Sequence, residues 1–244
     1  IEGKNIRYGL NSIKGVSQKT LQALTDFRES DIPTKYDIFI SAKQAGINIG
    51  VLSALIQAGA LQSYKTKRSR LVLEAQSFNL LTDREKRNFI QLAPRFDYDV
   101  LNTIKAATED KILGDDNKRL MADKRFETFK KKYLKYKEIW KKNRKYEDFA
   151  NWFFEKKLLG YSYSTKLKSV FSQEKPLMNS YEVEASENND RIYMVGVVND
   201  CFKRRSRNGN QYAKIEMSDE LGFLHGMLMD TRRQLKLTEY LEQN

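Results

Sequence analysis

A glycine-centred turn sets the strongest constraint on what this chain can fold into. Residues 7–24 read Arg-Tyr-Gly-Leu-Asn-Ser-Ile-Lys-Gly-Val-Ser-Gln-Lys-Thr-Leu-Gln-Ala-Leu. Ile13-Lys14-Gly15-Val16-Ser17 is a tight bend that opens into a run where Leu21 and Leu24 recur at helical spacing. Leu10 and Ile13 make the same kind of pair ahead of it. The pattern predicts helix, short hairpin, helix. Such a hairpin presents backbone N–H groups at a helix N-terminus, where unpaired donors and the helix dipole attract an anion. Lys14 and Lys19 flank the turn and Thr20 adds a hydroxyl, so Lys14, Gly15, Val16, Ser17, Lys19 and Thr20 are the candidate anion ligands.

A second helix has the same kind of start. Asn48-Ile49-Gly50 leads into Val51–Leu61, where Val51, Leu52, Leu55, Ile56 and Gly59 fall on one face and Gly59 is placed as a C-cap. Asn48 and Gly50 join the candidate ligands. Between the two hairpins, Phe39-Ile40 after Pro33 reads as a connecting helix. Charge names the anion: Lys plus Arg number 44 against 32 Asp plus Glu, a net +12. Nucleic-acid phosphate is the partner such a balance fits. Paired hairpins would grip both rails of a duplex without reading bases.

The fold class expected is α+β, mostly α. Residues 1–63 read as a tandem helix-hairpin-helix domain and 64–171 as a basic helical region, entered through Tyr64–Arg70 and a helix from Leu71 to Leu81. Residues 82–122 read as polar and irregular, broken by Pro94 and Gly114. A helix is expected from Asp123 to about Phe154, with Phe126, Phe129, Tyr133, Tyr136 and Trp140 as a packed stripe. Residues 118–157 hold 15 Lys/Arg and 6 Asp/Glu, an excess that opposes folding by self-repulsion unless an anion neutralises it. Residues 172–190 read as a linker, and 191–244 turn to strand periodicity. Ile192–Val198 is β-rich; Asn208-Gly209 joins Asp200–Lys203 to Gln211–Met217; Gly222–Met229 is a further strand and Thr231–Leu241 a helix. That order opens an oligonucleotide-binding barrel, incomplete here at about three strands. Lys203, Arg204, Arg205 and Arg207 are the candidate single-strand ligands, while Phe202, Tyr212 and Phe223 read as core.

Three segments carry a family resemblance. Ile6–Val16 and Val51–Leu61 closely resemble the tandem helix-hairpin-helix region of the alpha subunit of bacterial DNA polymerase III, with Ser17 where that family usually has glycine. Glu155-Lys156-Lys157-Leu158-Leu159-Gly160-Tyr161 is similar to a family segment beginning Glu-x-x-x-Leu-Gly-Phe, although the family's following His-Pro is missing. Arg191–Val198 resembles the start of the family's oligonucleotide-binding barrel. The segments occur in family order, with residues 80–150 poorly matched. The resemblance implies a non-catalytic, DNA-holding part of a replicative polymerase chain. Its DNA-directed polymerase active site, with Mg2+, would lie before Ile1, and its partners would be duplex and single-stranded DNA with the sliding clamp and other replisome subunits. It also implies a cytoplasmic setting, in a bacterium or a phage-infected cell. The missing initiator methionine fits a start inside a longer polypeptide.

Other sites weigh less. Cys201 and His225 are the only soft metal ligands, so no zinc site is expected. One cysteine excludes an internal disulfide. Asp97 and Asp99 mimic a two-metal carboxylate pair but read as loop residues. Gln76-Ser77-Phe78-Asn79-Leu80-Leu81 has the composition of a clamp-binding peptide without its spacing, and reads as a packed helix. No cofactor is expected in the chain itself. A repair or recombination protein built from the same modules, and an RNA-binding module, remain the alternatives on residues alone.

Overall fold

Local chemistry sets the helix boundaries. Helix α1 (Leu21–Glu29) is followed by α2 (Lys35–Gln44), which starts on a reciprocal Thr34–Asp37 capping box. Asn48 Oδ1 accepts the Val51 amide at 3.0 Å and caps α3 (Ile49–Gln57). Between α2 and α3 the chain reverses on Gly46, at φ +81°. The Gly46 amide bonds Lys43 and the Ile47 amide bonds Ala42, and Ile47 drops into the core. The second hairpin therefore turns on Gly46, whereas Asn48-Ile49-Gly50 is the helix entrance beyond it. The computed structural model describes residues 13, 14, 16, 17, 20–61, 66–110, 112–114, 117–171, 176–229, 236 and 240.

The chain divides into two compact units after Tyr161. In the first, α1–α3 share one apolar core with α4 (Arg68–Asn79), α5 (Asp83–Leu92), α6 (Val100–Thr108) and α7 (Asp123–Asn143). Phe27, Phe39, Ile56, Phe78, Phe89, Ile104 and Phe129 all bury in it. Residues 82–122 are thus largely helical, against the irregular reading. Their caps are local: Thr82 and Glu85 form a capping box for α5, and Asp99 Oδ1 accepts the Asn102 amide to start α6. Pro94 sits in the first turn of a 3-10 segment, a position that needs no N–H, and breaks nothing.

The long helix expected to about Phe154 is two helices. α7 ends at Asn143, a 3-10 turn covers 144–146, and α8 runs Glu147–Leu159. The break lets Glu147 reach α4, whose Ser69 amide (3.0 Å) and hydroxyl both donate to its carboxylate. The aromatic stripe packs as its spacing predicts, with Phe129 and Tyr133 buried and stacked at 5.5 Å. Burial pushes the Tyr133 phenol up to about 12.

The second unit holds α9 (Leu167–Phe171), α10 (Ser180–Glu184) and an antiparallel sheet of β1 (Val197–Arg205), β2 (Gln211–Ser218) and β3 (Phe223–Leu228), in that order. The sheet is open, not a closed barrel. Ile192–Gly196 lies outside the strands, and β1 carries the register from Val197 with an irregularity between Val198 and Asp200. Gly209, at φ +79°, turns the β1–β2 hairpin. α10 lies inside the expected 172–190 linker. The expected helix at 231–241 lies outside the described residues except for Lys236 and Tyr240, both helical.

Asp219 ties α10 to the β2–β3 turn. Its carboxylate accepts the Ser180 amide (2.6 Å) and hydroxyl (2.7 Å) and the amides of Leu221 and Gly222 (2.8 and 3.0 Å). Burial alone would raise its pKa, but these four donors hold it below the ordinary aspartate value. A depressed folded pKa contributes stability above the unfolded value near ~3.9 and loses it as pH falls through the folded one. Asp219→Asn should therefore cost the second unit about 1–3 kcal/mol at neutral pH by leaving buried donors poorly paired. The difference from wild type should shrink in acid, as chemical denaturation at neutral and acidic pH would read.

Candidate nucleic-acid interface

At the first hairpin, Lys14 and Ser17 are exposed, Thr20 is half-buried and Val16 is buried; Gly15 and Lys19 lie outside the described residues. The Lys14 amide donates to the Leu158 carbonyl (3.0 Å), the Val16 amide to Ile13 (3.0 Å) and the Thr20 amide to Ser17 (2.9 Å). These three amides are engaged inside the protein. What faces outward is the Lys14 ammonium, the Ser17 hydroxyl paired with Thr20 at 2.8 Å, and the start of α1, which takes no side-chain cap from Thr20. At the second hairpin Asn48 and Gly50 are both exposed. A Cβ on Gly50 would meet Asn48 Oδ1 at 3.1 Å, so glycine lets the capping amide sit close.

The Lys14–Leu158 bond sets the first hairpin against the last turn of α8, which carries Lys156 and Lys157. The Glu155–Gly160 segment holds that turn in place. Glu155, fully buried, pairs with Arg68 at 2.5 Å, and Arg68 also donates to the Gln57 carbonyl. Gly160, at φ +89°, closes α8 in the left-handed conformation. Two of the six carboxylates of residues 118–157, Glu147 and Glu155, are thus spent inside the protein, which leaves the surface of α7 and α8 more cationic than the sequence count. Its cations lie over rings four residues earlier: Lys130 on Phe126, Lys137 on Tyr133, Arg144 on Trp140, Lys156 on Trp152 and Lys157 on Phe153. The aromatic stripe orders the charged face as well as filling the core.

In the second unit, Lys203, Arg204 and Arg205 end β1, and Arg207 sits in the turn beyond it. Alternation and cross-strand register put Phe202 and Arg204 on one face with Tyr212, Lys214 and Met227. Phe202 is 37% and Phe223 71% exposed, so these rings are not core. Arg204 lies 5.5 Å from the Phe202 ring centre. An open sheet with cations and rings on one face offers stacking surfaces and phosphate partners together.

The remaining sequence candidates are structural. Asp99 caps α6 and pairs with Arg70, and Asp97 is exposed at a left-handed turn. Phe78 and Leu81 of the clamp-like segment are buried. Among the described residues no three His, Cys, Asp or Glu side chains converge as a metal site, and no helix is long and apolar enough to cross a membrane. Sequence reasoning missed Gly46, whose signal was the Gly-Ile pair after an amphipathic helix. It also missed the inward roles of Glu147 and Glu155, which have no local signal.

Residues 1–71 match the family model described as a helix-hairpin-helix motif. DNA polymerase III subunit alpha of Aquifex aeolicus (strain VF5) is 34% identical over 118 residues, 47% of this chain and 10% of that relative. The match thus spans about a tenth of that relative's length. No solved structure matches the chain. The helix-hairpin-helix match covers the region where residues 6–61 led one to expect it, and that relative is a subunit of the expected kind.

Proposed function

We propose that this chain is the DNA-holding part of a polymerase III alpha-type polypeptide and carries no active site of its own. Duplex phosphates are held at the two helix entrances through Lys14, Ser17, Thr20, Asn48 and Gly50; Gly15 and Lys19, which lie outside the described residues, are further proposed ligands, and Val16, buried with its amide on Ile13, packs beneath them. The lysines of α7 and α8 extend that contact. Lys203, Arg204, Arg205 and Arg207, with the Phe202–Tyr212 face, take the template single strand. The polymerase chemistry and its Mg2+ belong to another part of the parent chain, and the sliding clamp and other replisome subunits are the proposed partners in the cytoplasm.

The observation that carries this reading is the exposed first entrance, held by the Lys14–Leu158 bond against the cationic end of α8. Phosphate contacts of this kind act with little regard to sequence. The test is anisotropy with a labelled duplex and a labelled oligo-dT. Lys14→Glu should weaken duplex binding and spare the single strand. Phe202→Ala should do the reverse, by about 1–3 kcal/mol for a lost stacking ring. Equal loss of both ligands in either variant would overturn the division.

A further inference from the structure

Two cavities in the first unit share a wall. One, of about 420 Å3, lies between α4, α7 and α8 and is lined by Leu73, Tyr136, Ile139, Trp140 and Phe154, with carboxamides from Gln76 and Asn151. The other, of about 660 Å3, is lined by Lys35, Lys67, Arg70, Arg144 and Lys145. Ser69, Trp140, Arg144 and Glu147 border both. The wall is fixed: Trp140 Nε1 donates to Ser69 Oγ at 3.1 Å, Ser69 is held by Glu147, and the Arg144 guanidinium lies over the Trp140 ring at 5.4 Å.

The two carboxylates bordering the cationic cavity are occupied, Glu147 by Ser69 and Asp99 by Arg70 and the Asn102 amide. Lys67, Arg144 and Lys145 make no ion pair among the described residues. An apolar, aromatic chamber with a few carboxamides thus lies beside a cleft of excess positive charge, and a ligand long enough to cross the rim of Ser69, Trp140, Arg144 and Glu147 would use both. Its volume lies in the ~300–1,000 Å3 range of small-ligand sites.

The geometry points to a site for a nucleoside phosphate, with its base in the apolar chamber, its phosphates in the cationic cleft and Arg144 at the junction. The carboxamides match the donors and acceptors of a base edge, whereas an aliphatic ligand would leave them unpaired. The ligand is either a free nucleotide or the unpaired end nucleotide of a strand, since both present the same chemistry. The site uses none of the hairpin or sheet residues assigned above and does not depend on that assignment.

Tryptophan fluorescence of the whole chain tests it, because Trp152 is buried in the core and Trp140 borders both cavities. dATP should give a saturable change that Trp140→Phe removes, and should bind about tenfold more tightly than inorganic triphosphate or deoxyadenosine alone. Arg144→Gln and Lys145→Gln should each weaken dATP binding, and Ile139→Ala with Asn151→Leu should erase its advantage over triphosphate. Displacement of dATP by a 5′-phosphorylated dA8 assigns the site to a strand end; failure to displace assigns it to the free nucleotide. Equal binding of dATP and triphosphate, or indifference to Arg144→Gln, would overturn the proposal.

Discussion

Glu155→Ala is expected to lower the stability of the first unit by about 3–5 kcal/mol, the cost of leaving one member of a buried ion pair without the other. Glu155 is fully buried against Arg68, which joins α8 to the start of α4 and to the Gln57 carbonyl at the end of α3. Total stabilities of about 5–15 kcal/mol leave little margin for such a loss. The hairpin should loosen as well, because the Lys14 amide hangs on the same turn of α8. Replacing both partners, Arg68→Met with Glu155→Leu, should recover most of the loss. An exposed control such as Glu127→Ala should stay within about 0.5 kcal/mol. Urea unfolding of the four proteins reads all of this.

Duplex affinity is expected to fall about 10³-fold between ~50 and ~200 mM salt if about six phosphates are neutralised. The basic excess of residues 118–157 is gathered on α7 and the Arg144-Lys145 turn after it, two of the three carboxylates of α8 turn inward, and several of the cations lie over rings. Changing the duplex sequence should matter little beside changing the salt, because entrances of this kind meet phosphate and not base edges. A titration across several unrelated duplexes separates the two dependences.

Much of this architecture was legible because its signals are local. The helix start at Asn48, the apolar face of α3, the α7 stripe and the Asn208-Gly209 turn each depend on residues within one or two helical turns. The misreadings have the opposite character. Residues 82–122 looked irregular because small side chains such as Ala93, Ala106 and Ala107 fill the core there, and a polar count hides them. The break after Asn143 goes with the Glu147–Ser69 contact, whose partners lie 78 residues apart in sequence. Phe202 and Phe223 looked like core because aromatic strand residues usually pack, and only the register reveals that they share the open face. At the first hairpin, the glycine turn was visible but the fate of the Lys14 amide was not, since its acceptor lies on Leu158.

In the proposed function, Lys14 and the end of α8 together meet duplex phosphate. The most direct measurement is the slope of log affinity against log salt for one duplex, taken for the wild type and for Lys14→Glu with Lys157→Glu. Two lost contacts should flatten the slope by about 1.8, at ~0.9 for each phosphate. An unchanged slope, with the fold intact by circular dichroism, would contradict the account.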